Sequence, residues 1–140
     1  MKIVKWILIV GVIGFVLIQF IPYGHNHENP AVIAEPNWDS PTTQAIAEKA
    51  CYDCHSNKTV WPWYSNIAPV SWLVMHDVEE GRQHLNFSDW ENTRNKQDIV
   101  EVVQEGEMPP GQYLLMHAEA KLTQAEIDAF IQGIRATINN

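Results

Sequence analysis

Cys51-Tyr52-Asp53-Cys54-His55 contains both cysteines of the 140-residue chain, separated by two residues, with a histidine directly after the second. C-x-x-C-H is the attachment pattern of c-type haem. The two thiols add to the haem vinyl groups as thioethers, and the histidine is brought under the iron as its proximal ligand. The motif therefore predicts one covalent haem c, attached through Cys51 and Cys54, with His55 as an iron ligand.

Three other interpretations of the cysteine pair stay open. A thioredoxin-like redox site would need a βαβ context, and the sequence has no alternating strand pattern of useful length. A zinc site would need four ligands, drawn from histidines such as His76, His84 and His117. A disulfide would close only a very small loop. In a mostly helical chain, haem attachment is favoured over all three.

The sixth coordination position of such an iron is either open or filled by a side chain such as Met or His. Met108 lies in Gly106-Glu107-Met108-Pro109-Pro110, where two prolines stiffen a loop between predicted helices. We therefore expect Met108 to be the distal ligand, with His76 as the alternative and His117 and His84 after it. The other interpretation of Met108 is an exposed loop residue that binds no metal.

Helix signals follow one another along the second part of the chain. Ser40-Pro41 predicts the N-cap and first turn of a helix that runs into the cysteines. A second helix is predicted from about residue 69 to residue 81 by its apolar spacing. Two capping boxes, Ser88-x-x-Glu91 and Thr123-x-x-Glu126, predict a third helix and an amphipathic terminal helix. The sequence thus predicts an all-α domain of roughly four helices.

The N-terminal stretch Ile3–Ile21 is apolar except at Lys5 and Gln19. As a helix with a rise of about 1.5 Å per residue, it would just span a hydrocarbon core of roughly 30 Å. The next basic residue is Lys49, so the charge bias places the N-terminus in the cytoplasm and the remainder outside. A cleaved signal peptide is the alternative, although its apolar region is usually shorter.

These patterns divide the chain into three parts. Residues 1–21 are predicted to form a single uncleaved transmembrane helix, residues 22–38 an extended linker, and residues 39–140 the haem-binding domain. The predicted location is a bacterial cytoplasmic membrane, contacted through the N-terminal helix, with the haem domain facing the periplasm or the cell exterior.

The charge balance bears on partners. The chain has 17 acidic and 9 basic side chains, a net charge of −8. Such a surface argues against nucleic acid, whose phosphates need Lys and Arg to displace counterions. It predicts instead a redox partner protein that is basic at the contact and binds in a weak, salt-sensitive encounter.

Aromatic side chains are concentrated after the motif. Trp61, Tyr64 and Trp72 are of the right type to form the walls of a haem pocket, and Arg82 could bind the propionates. The alternative is that these aromatic residues are ordinary core. The sequence alone leaves both interpretations open.

Three separated segments resemble the bacterial haem-binding domain family: ACYDCHSN at 50–57, WPWYSNIAPVSW at 61–72 and GRQHLNFSDW at 81–90. The resemblance covers about residues 38–138. It implies a single covalent haem in a cytochrome c-like helical fold, often preceded by one membrane anchor. It also implies that Cys51 and Cys54 are the attachment sites, that His55 is the proximal ligand and that Met108 occupies the usual distal position.

The expected function is that of a membrane-tethered mono-haem electron carrier, not an enzyme. The alternative is a haem-based sensor or small-ligand binder, whose distal site is open or exchangeable. A peroxidase-like enzyme, with His76 as a distal acid-base group, is a third possibility. A two-haem peroxidase is excluded within this chain, because it contains one C-x-x-C-H.

Overall fold

The computed structural model describes residues 2–140 and is helical throughout, without a β-strand in that part of the chain. The α-helices are α1 (Lys2–Ile18), α2 (Pro41–Ala50), α3 (Tyr52–His55), α4 (Val70–His84), α5 (Asp98–Gln104), α6 (Gly111–Leu114) and α7 (Gln124–Ile138). Short 3₁₀ turns cover Trp63–Asn66, Trp90–Asn92 and Ala118–Ala120. The all-α prediction is confirmed, and the cytochrome c-like arrangement stays a prediction.

Two of the predicted helix starts are confirmed by their caps. The Ser40 hydroxyl accepts a hydrogen bond from the Thr43 amide at 3.2 Å, and Pro41 occupies the first turn of α2. Thr123 and Glu126 form the reciprocal capping box of α7, in which the Thr123 amide donates to the Glu126 carboxylate at 2.8 Å. These caps satisfy amide groups that have no partner inside the helix.

The predicted capping box at Ser88 is wrong. The Ser88 hydroxyl accepts from the Asn57 amide at 2.9 Å, so it serves a distant segment instead of a helix start. A 3₁₀ turn follows at Trp90–Asn92, and α5 begins only at Asp98. Helix α5 ends at Gln104, and shortly after it Gly106 has a φ of 74°, a left-handed conformation that favours glycine.

The predicted transmembrane helix is wrong. Among residues 2–140, no helix is both long enough and apolar enough to cross a membrane. The 17 residues of α1 span about 26 Å at 1.5 Å per residue, less than a hydrocarbon core, and include Lys2 and Lys5. The predicted single-pass location in the cytoplasmic membrane depended on that helix and is wrong for the same reason.

The first of two compact units consists of residues 2–28 and 61–77. Within it, the chain turns beyond the end of α1, where the Gln19 side-chain amide pairs with the backbone of Ala68. The Gln19 Nε2 atom donates to the Ala68 carbonyl, and the Ala68 amide donates to Gln19 Oε1, each at 3.0 Å. The His27 ring also stacks on Trp61, with ring centroids 4.5 Å apart. Gln19, the first residue after α1, is therefore held by backbone groups of a segment that is distant in sequence.

The second unit consists of residues 29–60 and 78–140, and it contains the main hydrophobic core. Helix α7 packs against α2 and α5. At the α2 contact, a Cβ on Gly133 would lie 2.9 Å from the Thr43 Cβ, so only a glycine allows this approach. The Phe87 ring is fully buried and stacks against the rings of Tyr52 and Trp90. The core therefore includes a residue of the C-x-x-C-H motif itself.

Candidate haem-binding site

The C-x-x-C-H motif occupies the junction of α2 and α3. The Cys51 amide donates to the Ala47 carbonyl at 2.9 Å, which ends α2, and α3 begins at the next residue. The Cys51 carbonyl then accepts from the amides of Cys54 and His55, at 3.2 and 2.9 Å. Residues three and four positions apart lie on the same side of a helical turn. The side chains of Cys51, Cys54 and His55 therefore leave the backbone on the same side of one helical turn.

Neither cysteine is part of a disulfide, and both are half-buried. Burial, and to a lesser extent the neighbouring Cys54, raise the pKa of the Cys51 thiol to about 12. Cys51 is therefore protonated near neutral pH. A dithiol redox site of the thioredoxin type needs a thiolate with a lowered pKa, so this arrangement disfavours that interpretation.

The His55 imidazole is held by two backbone carbonyls of the second unit. Its Nδ1 atom lies 2.9 Å from the Gly81 oxygen and 3.1 Å from the Leu85 oxygen. Because both neighbours are acceptors, Nδ1 carries the proton, and Nε2 keeps its lone pair. Burial lowers the pKa of His55, which favours this neutral form.

A neutral imidazole that donates through one nitrogen to a carbonyl is the form in which histidine binds a metal through the other. Together with two thiols on the same turn, neither of them in a disulfide, His55 forms a donor set that fits c-type haem. The structure thus offers Cys51 and Cys54 for attachment and the His55 Nε2 atom for the iron.

Gly81 allows this arrangement by lacking a side chain. A Cβ at this position would lie 2.6 Å from the carbonyl oxygen of Cys54 and 3.1 Å from the Cys54 Cβ. Helix α4 can therefore lie against the motif only with a glycine here. Sequence reasoning missed the roles of Gly81 and Leu85, because carbonyl groups that accept from a distant histidine leave no signal in residue type.

Arg82 holds the loop after the motif through oxygen atoms of the chain itself. Its Nε donates to the Ser56 carbonyl at 2.8 Å, and its terminal nitrogen donates to Thr59 Oγ1 at 2.9 Å and to Asn29 Oδ1 at 2.8 Å. Burial lowers its pKa from the ordinary value. The role of Arg82 in binding propionates stays a prediction. Its contacts show that it also has a structural role, which is to hold the loop that follows the motif.

Met108 lies in the turn after α5 and is 37% exposed. Its amide donates to the Val102 carbonyl at 3.2 Å, as does the amide of Glu107 at 2.9 Å. Further along, the Tyr113 hydroxyl donates to Asp53 Oδ2 at 2.7 Å. The structure thus connects the segment that carries Met108 to the motif. Sequence reasoning missed this contact, since nothing in the local pattern pairs Tyr113 with Asp53.

The other predicted site residues divide between the two units. Trp61, Tyr64, Trp72 and His76 belong to the first unit, whereas the cysteines, His55 and Met108 belong to the second. Their roles as pocket walls or alternative ligand stay predictions.

The remaining two histidines of the second unit lie near carboxylates. His84 Nε2 is 3.9 Å from Glu80 Oε1, and His117 Nδ1 is 3.1 Å from Glu119 Oε1. Within residues 2–140, no group of three or more His, Cys, Asp or Glu side chains could hold a metal ion. The zinc interpretation therefore has no cluster of ligands in the described part of the chain.

Comparison with known proteins identifies the family. A family model described as a haem-binding domain matches residues 13–136, well over half of the chain. No curated protein and no solved structure matches the chain significantly. The family match agrees with the resemblance of the sequence and with the donor set at the junction of α2 and α3. The chain therefore belongs to the haem-binding domain family.

Proposed function

We propose that the protein is a mono-haem c-type cytochrome that carries single electrons and is not an enzyme. Cys51 and Cys54 would hold the haem covalently, and His55 and Met108 would bind its iron. The observation that carries this proposal is the state of His55, whose Nδ1 is committed to the Gly81 and Leu85 carbonyls while Nε2 is free to bind.

Each residue of the donor set has a separate task. Cys51 and Cys54 provide two covalent bonds on one helical turn, so the cofactor stays attached without complete burial. The two carbonyls fix the plane of the His55 ring and increase the basicity of Nε2. Haem bound in this way supplies an iron centre that takes up and releases one electron.

Met108 completes the proposal because a bound thioether closes the sixth position. Pro109 and Pro110 restrict the backbone after it, and the Val102 carbonyl holds the backbone before it. A closed position excludes oxygen, peroxide and other external ligands, which is the behaviour of a carrier. A thioether ligand also favours a relatively high reduction potential.

The exposure of Met108 supports a second candidate function. A ligand that is 37% exposed on a surface turn can dissociate without opening a core. Dissociation would admit a small ligand such as carbon monoxide, nitric oxide or oxygen. The protein would then be a haem-based sensor or ligand binder instead of a carrier.

The charge around Met108 supports a basic redox partner. Between Lys96 and Lys121 the chain contains acidic side chains and no Lys or Arg: Asp98, Glu101, Glu105, Glu107 and Glu119. A partner with a basic patch would be steered toward this segment by long-range attraction. The encounter would be weak and sensitive to salt.

Absorption spectra of the full chain test the proposal. The chain is produced in a bacterial host that assembles c-type cytochromes, and spectra are recorded in oxidised, reduced and reduced-plus-carbon-monoxide forms. The carrier predicts a low-spin reduced spectrum that carbon monoxide leaves unchanged, and a near-infrared sulfur-to-iron band in the oxidised form. Ready binding of carbon monoxide would favour the sensor instead.

The covalent attachment needs its own control. Haem should remain with the denatured wild-type chain after acidic organic extraction, and it should be lost from a variant with both Cys51→Ser and Cys54→Ser. Haem that is extracted from the wild type as readily as from the variant would contradict the covalent part of the proposal. A chain with no haem at all would contradict the whole of it.

A further inference from the structure

Tyr113 and Asp53 form a hydrogen bond between two segments that are distant in sequence. The Tyr113 hydroxyl donates to Asp53 Oδ2 at 2.7 Å, and the other carboxylate oxygen accepts from the Val60 amide at 3.0 Å. Asp53 lies inside the C-x-x-C-H motif, directly before Cys54. The carboxylate is thereby held from two sides, and its position is fixed relative to the attachment site.

Tyr113 is closely coupled to Met108 through a short, ordered segment. The Pro110 carbonyl accepts from the amides of Tyr113 and Leu114, at 3.0 and 3.2 Å, so α6 begins immediately after the two prolines. On the other side, the Met108 amide is bound to the Val102 carbonyl of α5. The loop that carries Met108 is therefore tied to α5 at its start and to the motif at its end.

The surroundings of Tyr113 keep its hydroxyl a donor. Burial and the hydrogen bond to Asp53 raise the pKa of Tyr113 well above its ordinary value of 10. The ring also stacks on His117, with centroids 4.3 Å apart and an interplanar angle of 8°. The stacking restricts rotation of the Tyr113 side chain, so its hydroxyl keeps α6 at a fixed distance from Asp53.

We propose that Tyr113 is a positioning residue: its bond to Asp53 holds the Met108 loop at the haem attachment site and keeps the sixth position of the iron closed. This inference rests on the proposed function, since it requires Met108 to be a ligand. It adds a determinant of ligand access that lies outside the donor set. The strength of the Asp53–Tyr113 bond then sets the balance between bound and dissociated Met108.

The decisive comparison uses two variants of the haem-loaded full chain. Tyr113→Phe removes the bond to Asp53, whereas Glu126→Gln weakens another long-range contact to a carboxylate, from Lys49 Nζ to Glu126 Oε1 at 2.6 Å. Each variant keeps the size of its side chain and disturbs one contact between segments that are distant in sequence. A merely structural role of Tyr113 would make the two variants behave alike.

Tyr113→Phe should weaken the near-infrared sulfur-to-iron band and raise the affinity for carbon monoxide about tenfold, as expected when a hydrogen bond to a charged group is lost. Glu126→Gln should match the wild type in both. If the band and the affinity of Tyr113→Phe equal those of Glu126→Gln, the positioning role is wrong and the carrier proposal stands. If the wild type itself lacks the band, Met108 is not the ligand, and both proposals fail at that point.

If the Tyr113→Phe chain does not accumulate, a second variant still tests the inference, and a second measurement tests it independently of the spectrum. Asp53→Ala breaks the same bond from the other side and should give the same spectral change, so an unchanged band in that variant would overturn the inference. Hydrogen exchange in a Met108→Ala background isolates the tether from the iron bond. There, Tyr113→Phe should speed exchange at residues 108–114 about tenfold, and an unchanged rate would count against the tether.

Discussion

The Nδ1 atom of His55 lies 2.9 Å from the carbonyl oxygen of Gly81, and the same glycine has no side chain to separate α4 from Cys54. These two properties depend on each other. The carbonyl can reach the imidazole because the helix backbone approaches the motif, and the backbone approaches because position 81 carries only a hydrogen. A single residue thus controls both the packing of α4 and the orientation of the proposed proximal ligand.

Gly81→Ala should therefore disturb the site more than its small size suggests. The new Cβ would lie 2.6 Å from a backbone oxygen of Cys54, so the backbone must shift, and overpacking of this kind costs about 1–3 kcal/mol in the free energy of unfolding. Gly14→Ala is the matched control, because a Cβ there meets nothing within 4 Å. Chemical unfolding followed by circular dichroism compares the two, together with the haem content of each purified chain. Equal stability and haem content would contradict the close-approach argument.

Met108→Ala should open the sixth coordination position. The variant is expected to bind carbon monoxide in the reduced form and to lose the near-infrared band in the oxidised form, because alanine cannot donate a sulfur atom. Met116→Ala is the control, since Met116 is 58% exposed and lies in the same region of the chain. If Met116→Ala loses the band while Met108→Ala keeps it, the ligand has been assigned to the wrong methionine. If the wild-type spectrum lacks the band and both variants keep that spectrum, His76 becomes the leading candidate.

The predictions from sequence succeed where the signal is local. Ser40 and Thr123 cap helices through groups three residues away, so their patterns alone identify α2 and α7. Ser88 has the same local pattern, but its hydroxyl accepts from the distant Asn57 amide, and only a short 3₁₀ turn follows at Trp90–Asn92 instead of an α-helix. The length of the apolar N-terminal run likewise fails to predict where α1 ends, because Gln19 pairs with Ala68 far along the chain.

The candidate site divides in the same way. The spacing of Cys51, Cys54 and His55 is a local pattern, and the prediction that these residues bind haem rests on it alone. The groups that orient them are long-range: Gly81 acts through its backbone oxygen and its missing side chain, and Tyr113 through a bond that spans 60 residues. No residue pattern near the motif indicates either contact, so both become visible only in the structure.

The acidic segment around Met108 should make electron exchange depend on the charge of the reagent. Reduction of a cationic complex such as hexaammineruthenium(III) should slow about tenfold as the ionic strength rises from 10 to 150 mM, since the Debye length falls from roughly 30 to 8 Å. Reduction of anionic ferricyanide should instead become faster. Stopped-flow rates measure both, and Glu105→Gln combined with Glu107→Gln should reduce the slope for the cation. Equal salt dependence for the two reagents would exclude steering by this segment.

The contact between α2 and α7 should contribute a pH-dependent stability through Glu126. Its carboxylate accepts from Lys49 Nζ at 2.6 Å and from the Thr123 amide at 2.8 Å, and these contacts lower the Glu126 pKa from 4.5 to about 2, with Lys49 the largest cause. Because the pKa is lower in the folded chain than in the unfolded chain, the stabilisation is complete above pH 4.5 and is lost as the pH falls through about 2.

The difference in unfolding free energy between wild type and Glu126→Gln should therefore be constant from neutral pH down to about 5 and shrink below it. Urea unfolding at a series of pH values measures this difference, and high salt should reduce it because the pair is exposed. In a Lys49→Met background the Glu126 pKa returns toward its ordinary value, so the pH dependence should weaken. A difference that persists unchanged at the lowest pH would mean that Glu126 stabilises α7 through its shape and hydrogen bonding alone, without its charge.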